Sequence, residues 1–247
     1  MSPDTLHEGA ILVADSHYAP WRTAFIDFLS ALEEGKIQTP QLILMGDNFD
    51  LLFGSVAQTL RLNQDAITLL NRLSLKIQIL YLEGNHDFRL SAVFPHIQVI
   101  DRAHQPLILN HNGSRIALLH GDIGVSLGYR IYTALIRNRV ILYGLNILNE
   151  RFGGFIIKTL IEQMKRKNHC KKIENFEAIA ARHVGVEWTR GCDTVIEGHY
   201  HQNRTFGQES FTYCNLGAFA CNERYYAVKS SQNQTVLEEL IFHKEPK

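Results

Sequence analysis

Five short apolar runs in the 247-residue chain each end in side chains that can coordinate a metal ion, and this repetition constrains the fold more than any other feature. Each run is rich in Ile, Leu or Val and is followed by glycine or a turn residue, as is typical of a buried strand with a loop after it. The runs are ILVADSH at 11–17, QLILMGDNFD at 41–50, ILYLEGNHD at 79–87, RIALLHGD at 115–122 and TVIEGHYH at 194–201. The pattern predicts five buried strands with polar residues at their carboxyl ends.

Helical patterns separate the first three of these strands. Residues 24–34 and 57–74 carry apolar side chains at helix spacing, so strand and helix alternate. Such alternation favours an α/β sheet whose strands run largely in one direction, and ligands bind such sheets beyond the carboxyl ends of the strands. We therefore expect the five polar clusters to converge on one edge. After residue 202, short apolar runs alternate with turns, and we expect them to pair as a second, more antiparallel sheet.

The polar groups at the strand ends are imidazoles, carboxylates and an amide, and they number seven. Two metal ions that share a bridging carboxylate would use all seven, whereas one ion would not. Two ions roughly 3.5–4 Å apart can clamp the attacking and leaving oxygens of a phosphoryl displacement. Nitrogen and oxygen ligands without thiolates suit Mn, Fe or Zn. The groups belong to Asp15, His17, Asp47, Asn85, His120, His199 and His201.

The order of these motifs resembles the calcineurin-like metallophosphoesterase family, whose pattern is D-x-H, G-D-x-x-D, G-N-H-D/E, H and G-H-x-H. One histidine at a strand end is usually only a polar loop residue, but five such clusters in order are a specific signal. The resemblance spans residues 15–201 and implies an α/β fold, a two-sheet αββα sandwich with a dimetal centre at one edge.

The resemblance also implies how the seven residues divide between the ions, with Asp47 as the bridge and a hydroxide between the ions attacking phosphorus. One ion would take Asp15, His17, Asp47 and His201, and the other would take Asp47, Asn85, His120 and His199.

Two further residues in these motifs are assigned catalytic roles by the resemblance. His86 would lie beside the phosphoryl oxygens, and the Asp50 carboxylate would orient the ring of His86. Asp87 and Asp122 follow the same motifs and could cap loops. We favour capping for Asp87 and assign Asp122 to substrate binding.

A basic insert separates the fourth motif from the fifth. The composition, 45% hydrophobic and 20% charged, suits one domain with an elaboration. We take residues 1–122 and 193–247 as the core and residues 123–192 as the insert, an inserted helical lid. The insert holds twelve Lys and Arg against five Asp and Glu, although the chain has no net charge. This basic segment suggests an anionic partner nearby, although a solvated basic helical face is the plainer reading.

The insert also contains an unusually apolar helix. Residues 128–152 read as a helix that is apolar on nearly every face, which a surface helix should not be. Gly153 and Gly154 should break it, and a basic amphipathic helix should continue to residue 176. The body, a partner, a membrane surface or a lipid must cover the apolar helix.

This arrangement resembles the UDP-2,3-diacylglucosamine pyrophosphatases of lipid A synthesis, which carry a helical lid at this place. Local matches are the GYR of Gly128, Tyr129 and Arg130, and NLGAF at 215–219. The resemblance implies hydrolysis to UMP and diacylglucosamine 1-phosphate (lipid X). It also implies two divalent ions, with Mn favoured and Fe or Zn as alternatives. The substrate would be lipid-linked and met at the cytoplasmic face of the inner membrane of a Gram-negative bacterium.

The substrate contacts that we expect combine motif and insert residues. The best-known members of that subfamily carry Arg where this chain has His86, and we expect His86 to act mainly by positioning and charge neutralisation. The expected contacts are Asn85, His86, Asp122, Tyr129 and Arg130.

Two other functions compete with this one. A phosphoesterase of the same fold could act on another nucleotide pyrophosphate or a phosphodiester. A scaffold protein would have lost metal ligands, but every ligand position is filled here. We expect no nucleic-acid partner, because the lysines lack interleaved aromatic residues. The four cysteines form no CxxC pair, so we expect reduced thiols, and the first residues do not resemble a signal peptide.

Overall fold

The computed structural model describes residues 4–122, 127–183, 189–208, 211–231 and 234–243. The strands within these ranges are β1 (Ile11–Val13), β2 (Gln41–Leu44), β3 (Leu52–Phe53), β4 (Gln78–Leu82), β5 (Asp87–Phe88), β6 (Gln98–Ile100), β7 (Leu107–His111), β8 (Ser114–Leu119), β9 (Thr194–Glu197), β10 (Arg204–Gln208), β11 (Phe211–Asn215), β12 (Arg224–Ser231) and β13 (Gln234–Ile241). The helices are α1 (Ala24–Glu33), α2 (Ala57–Leu62), α3 (Gln64–Leu73), α4 (Leu127–Arg137), α5 (Arg139–Arg151), α6 (Phe155–Arg166), α7 (Phe176–His183) and α8 (Phe219–Asn222).

Two mixed sheets form the centre of the fold. The first has the order β13-β12-β1-β2-β4-β6, and the second has the order β10-β11-β9-β8-β7. Strands β1, β2, β4 and β6 are parallel to one another, as are β8, β9 and β11. All five predicted motif strands are therefore present, three in the first sheet and two in the second.

Apolar side chains fill the space between the two sheets. Leu12 lies opposite Ile43, and Ile43 lies opposite Leu80, so the three side chains share one face of the first sheet. They pack against Ile116 and Ile196 of the second sheet, and all five are fully buried. Burial of each such side chain contributes about 1.5–3 kcal/mol. This layer holds the five strand ends in fixed positions relative to one another.

Helices cover the outer faces of both sheets. Helices α1 and α3 pack on the first sheet, for example through Phe28 and Leu70. Helix α7 packs on the second sheet through Phe176 and Ala180. The expected αββα sandwich is confirmed. The helix predicted over residues 57–74 is divided at Asn63, whose amide donates hydrogen bonds to backbone carbonyls instead of continuing the helix.

The strands after residue 202 do not form a separate antiparallel sheet, so that expectation is wrong. Strands β10 and β11 join the second sheet, because β11 pairs in parallel with β9. Helix α8 then takes the chain to the first sheet, where β12 pairs antiparallel with β1. Both sheets thus gain antiparallel strands at their edges.

The insert forms helices α4 to α7. The apolar helix predicted over residues 128–152 is two helices, because the side chain of Asn138 caps α5 by accepting hydrogen bonds from two backbone N–H groups. The predicted break at Gly153 and Gly154 is present, and both have positive φ angles. Helix α6 ends at Arg166 rather than continuing to residue 176. No single described helix is long and apolar enough to span a membrane, and α5 and α6 reach that length and composition only when taken together across a bend of 97°.

The expectation that all four cysteines are reduced thiols is also wrong. Cys170 of the insert forms a disulfide with Cys221 of α8, while Cys192 and Cys214 are free and buried. No local pattern predicts this pair, because the two residues are brought together only by the folding of the insert onto the core.

Candidate metal centre

The loops that carry the predicted ligands have an unusual backbone. Asp15, His17, Asp47, His199 and His201 have φ angles of 52°, 45°, 49°, 64° and 61°. Residues other than glycine rarely adopt this left-handed conformation, which costs about 1–3 kcal/mol per residue and is concentrated at functional sites. The strand ends therefore hold these side chains in a fixed, strained arrangement.

Motif glycines make room for the ligand side chains. A Cβ atom at Gly84 would lie 2.1 Å from Oδ1 of Asp47, and one at Gly198 would lie 2.6 Å from Oδ2 of Asp15. Neither position can hold a larger residue without moving a carboxylate. The glycines of the G-N-H-D and G-H-x-H motifs are thus required by close approach.

The seven predicted ligands form two adjoining groups. In the first, the ligand atoms of Asp15, His17 and His201 all lie within 4.8 Å of one another, and those of Asp47, His120 and His199 do so in the second. His201 Nε2 is 3.1 Å from Asp15 Oδ1.

Asn85 and Asp47 complete this arrangement. Asn85 Oδ1 is 3.2 Å from His120 Nε2, so the amide belongs with the second group. Asp47 Oδ2 lies 3.5 Å from the same nitrogen. Asp47 also forms a close group with His17 and His86, so its carboxylate lies between the two sets of ligands, where a bridging group is expected.

Two of the buried histidines are neutral, as metal binding requires, and a third is protonated. Burial lowers the pKa of His17 well below its usual value and lowers the pKa of His199 to about 3, so both rings are neutral and able to bind a cation. Burial is the largest single influence on His120 and lowers its pKa, but the charge and hydrogen bond of Asp47 and the charges of Asp122 and Asp15 together outweigh it and raise that pKa to about 10. A cation at His120 must therefore displace a proton.

The donor set fits divalent cations. Nε2 of the fully buried His17 has no hydrogen-bond partner among the described residues. A buried imidazole nitrogen without a partner is costly, and a metal ion would satisfy it. Imidazole, carboxylate and amide ligands without thiolate match Mn, Fe or Zn.

The structure corrects the expected contact between Asp50 and His86. His86 Nδ1 lies 2.8 Å from the backbone oxygen of Asp50, not from its carboxylate. The carboxylate instead lies 3.2 Å from His17 Nδ1 and 3.1 Å from Arg22 Nη1. The carbonyl can only accept a hydrogen bond, so it fixes the proton of His86 on Nδ1 and leaves Nε2 as an acceptor. The backbone, rather than the carboxylate, orients the ring.

Asp87 has the capping role that we expected. Its carboxylate accepts hydrogen bonds from the backbone N–H groups of Asp47, Asn48 and Phe49, and from the hydroxyl of Tyr81. These bonds shape the loop that carries Asp47.

The other predicted substrate contacts lie farther along the same edge or outside the described side chains. The buried Asp122 pairs with Arg102, whose Nε is 2.8 Å from Oδ2, and no described group hydrogen-bonds to Oδ1. Tyr129 and Arg130 lie in α4, but their side chains are outside the described part of the structure.

Two residues of the insert contact the predicted site residues, although neither was itself predicted as one. Lys167 Nζ lies 2.9 Å from His86 Nε2, and the ring of His169 lies against His17 with the centroids 3.9 Å apart. The sequence showed only a basic run here. A histidine within a run of lysines was the one available signal.

Comparison with known proteins agrees with this geometry. Residues 10–203 match the calcineurin-like phosphoesterase family. The chain is 25% identical over 206 residues to the UDP-2,3-diacylglucosamine hydrolase of Stutzerimonas stutzeri, covering 81% of this chain and 84% of that protein. It is 24% identical over 250 residues to the protein of the same name from Psychromonas ingrahamii, covering 94% and 98%.

Among solved structures, a novel archaeal phosphodiesterase is 10% identical with a TM-score of 0.44, covering 94% of this chain and 99% of that one. The family match covers most of the chain and includes all seven ligands. The chain therefore belongs to the calcineurin-like phosphoesterase family and is a metal-binding hydrolase.

Proposed function

We propose that this hydrolase cleaves the pyrophosphate of UDP-2,3-diacylglucosamine to give UMP and diacylglucosamine 1-phosphate. Relatives that match most of the chain carry the name of that activity. The observation that carries the proposal is an apolar cavity that adjoins a polar pocket over the metal ligands.

The apolar cavity lies between the core and the insert. Its volume is about 370 Å³, which is within the range of ligand sites. Asn85 and His86 are among its polar lining residues. Such a cavity suits acyl chains and has no evident use for a small polar substrate. The apolar lining residues are Leu51, Phe53, Val56, Phe88, Ile136, Leu142, Leu145, Ile156, Ile157, Leu160 and Met164.

The polar pocket has a volume of about 200 Å³ and includes Asp47, His199 and His201. Asn85 and Lys167 line both this pocket and the apolar cavity, so the two spaces adjoin. A substrate with acyl chains at one end and a diphosphate at the other would fill both. Lysine ammonium groups match the charge of the diphosphate.

Lys167 and His86 would act beside the bound cations, each with a separate role. Two divalent cations, when bound, would place positive charge at the phosphoryl oxygens and lower the pKa of a nearby water. Lys167 would contact the diphosphate, and His86 would hold the Lys167 ammonium by accepting a hydrogen bond from it. The pair would supply the fixed positive charge that we had expected of His86 alone.

We propose further that the outer surface of the insert contacts the cytoplasmic face of the inner membrane. Of the thirteen exposed large hydrophobic side chains among the described residues, nine belong to the insert, so exposed apolar surface is concentrated there. The basic charge of the insert would favour anionic lipids. The nine are Ile131, Leu135, Val140, Tyr143, Leu145, Ile147, Leu148, Phe152 and Phe155.

Comparison of acylated and deacylated substrates tests the main proposal. We expect the Mn²⁺-loaded enzyme to cleave UDP-2,3-diacylglucosamine with a kcat/KM at least about 100-fold above that for UDP-glucosamine, because only the former fills the apolar cavity. Equal turnover of both would favour a phosphoesterase of another nucleotide pyrophosphate.

A matched pair of variants in α5 tests the role of the cavity. Leu145 lines the cavity, whereas Leu148 of the same helix does not, and both are partly exposed. Leu145→Gln should raise KM for the acylated substrate about tenfold, and Leu148→Gln should not. Equal effects of the two changes would contradict an acyl-binding cavity.

A further inference from the structure

His169 occupies an unusual place in the segment between α6 and α7. Its ring lies against that of His17, with the centroids 3.9 Å apart and the planes tilted by 42°. Its Nε2 is 3.7 Å from Asp50 Oδ1. Only 6% of the residue is exposed. A residue of the insert is therefore buried within the group of predicted metal ligands.

Neither ring nitrogen of His169 has a hydrogen-bond partner among the described residues, and the same holds for His17 and for Oδ1 of Asp50. A buried histidine that serves only for packing normally satisfies at least one nitrogen, because an unsatisfied buried polar group costs about 1–3 kcal/mol. The ligand atoms of the three residues all lie within 4.8 Å of one another. Two atoms that bind one ion with bonds of about 2.2 Å lie at most about 4.4 Å apart, so a small movement of these side chains would let one ion reach all three.

The backbone around His169 is fixed to the parts of the core that carry two predicted ligands. His201 Nδ1 donates a hydrogen bond to the His169 carbonyl oxygen at 2.5 Å, which leaves His201 Nε2 free for a cation. Cys170 is bonded to Cys221 of α8, and the neighbouring N–H of Ala220 donates to the Asp15 carbonyl oxygen at 3.2 Å. The position of His169 is thus tied to His201 and Asp15, two members of the first ligand group.

We propose that the insert donates His169 as a further ligand to the cation that His17 binds. The metal centre is then completed by the insert, and is not formed by the ends of the core strands alone. An additional imidazole nitrogen increases the preference of that site for Co²⁺ or Zn²⁺ over Mg²⁺. The proposal concerns metal binding and does not depend on the identity of the substrate.

Cobalt titration of the metal-free protein tests this proposal without any substrate. Co²⁺ binding is followed by calorimetry and by visible absorption in the wild type, in His169→Ala and in His104→Ala. His104 is an exposed histidine of the core and provides the control. We expect His169→Ala to lower the affinity for one of the two Co²⁺ ions at least tenfold and to change the absorption spectrum. The affinity for the other ion should not change, and the His104→Ala variant should bind both ions as the wild type does.

A count of ligated imidazoles separates ligation from a merely structural role. Each histidine bound to Co²⁺ gives a paramagnetically shifted ring N–H signal in the proton NMR spectrum, and His169→Ala should lose one such signal. If the Ala variant does not fold, His169→Gln is measured in the same way. The proposal would be overturned if the number of shifted signals did not change, or if the affinities for the two ions fell equally.

Discussion

Lys167 Nζ lies 2.9 Å from Nε2 of His86, so a cation from the insert is held directly beside the histidine of the third motif. Because His86 Nδ1 donates to the Asp50 carbonyl oxygen, Nε2 can accept a hydrogen bond from the ammonium group. The two residues together place one positive charge at a defined point next to the polar pocket.

Removal of that charge should slow catalysis. We expect Lys167→Gln to lower kcat/KM about 100-fold, since one lost charge contact at a developing anion typically costs a factor of 10²–10³. Steady-state kinetics would measure the effect. Lys158→Gln, an exposed lysine of α6, is the control and should remain within about twofold of wild type. Similar losses in both variants would point to general electrostatics rather than to this pair.

Metal affinity should rise with pH. In the metal-free protein, burial lowers the pKa of His120, but the charge and hydrogen bond of Asp47 together with the charges of Asp122 and Asp15 raise it to about 10, so the ring is protonated below that pH. A cation must displace this proton, so affinity should increase by up to about tenfold per pH unit between pH 7 and 9. Calorimetric titration of Mn²⁺ in two buffers of different ionisation enthalpy would also count the released proton. Constant affinity and no proton release would contradict this prediction.

The Cys170–Cys221 disulfide should stabilise the oxidised protein. The two residues are 51 positions apart, and closing a loop of this length restricts the unfolded chain by about 4 kcal/mol in the chain-entropy model. Cys221→Ser, or reduction of the wild type by a dithiol, should lower Tm by on the order of 10 °C. The control variant Cys192→Ser leaves the disulfide intact, so the dithiol should lower its Tm as much as it lowers that of the wild type. A wild-type Tm that does not respond to reductant would show that the bond contributes little.

Asp87 should be needed for the shape of the loop that carries Asp47. Asp87→Ala removes the acceptor of several buried donors, each costing about 1–3 kcal/mol, so we expect a loss of at least about 3 kcal/mol in the free energy of unfolding. Tyr81→Phe removes one of the same hydrogen bonds and should cost only about 1 kcal/mol. Urea denaturation compares the two. Equal and small losses would show that the loop does not depend on this carboxylate.

Membrane binding should depend on the exposed apolar residues of α5. Val140 and Tyr143 are 77% and 67% exposed, and their insertion into a bilayer surface would bury apolar area. We expect the Val140→Ser, Tyr143→Ser double variant to bind vesicles containing phosphatidylglycerol at least tenfold more weakly in flotation assays. Val236→Ser, an exposed valine of β13, is the control. Wild-type protein that does not float with the vesicles would contradict the membrane proposal.

The sequence was sufficient to predict that these side chains converge, because they follow local patterns. Each of Asp15, Asp47, Asn85, His120 and His199 comes just after a buried strand, and parallel strands bring their carboxyl ends together. The hydrophobic runs therefore predicted the strands and the edge at which the candidate ligands meet.

What the sequence did not reveal depends on packing between distant segments. His169 and Cys170 belong to a basic segment whose place on the core is decided by the folding of the insert. The division of the last strands between two sheets depends on the free edge of β1, which no local pattern marks. Asn138 looked like one polar residue in an apolar helix, yet its side chain begins a new helix.

The shared wall between the apolar cavity and the polar pocket has a consequence for turnover. Once the proposed bond is broken, the nucleotide product is water-soluble and leaves through the polar side, whereas the lipid product remains among aliphatic side chains. Departure of the lipid half should then be the slow step, and accumulation of that product should inhibit the enzyme more strongly than UMP does.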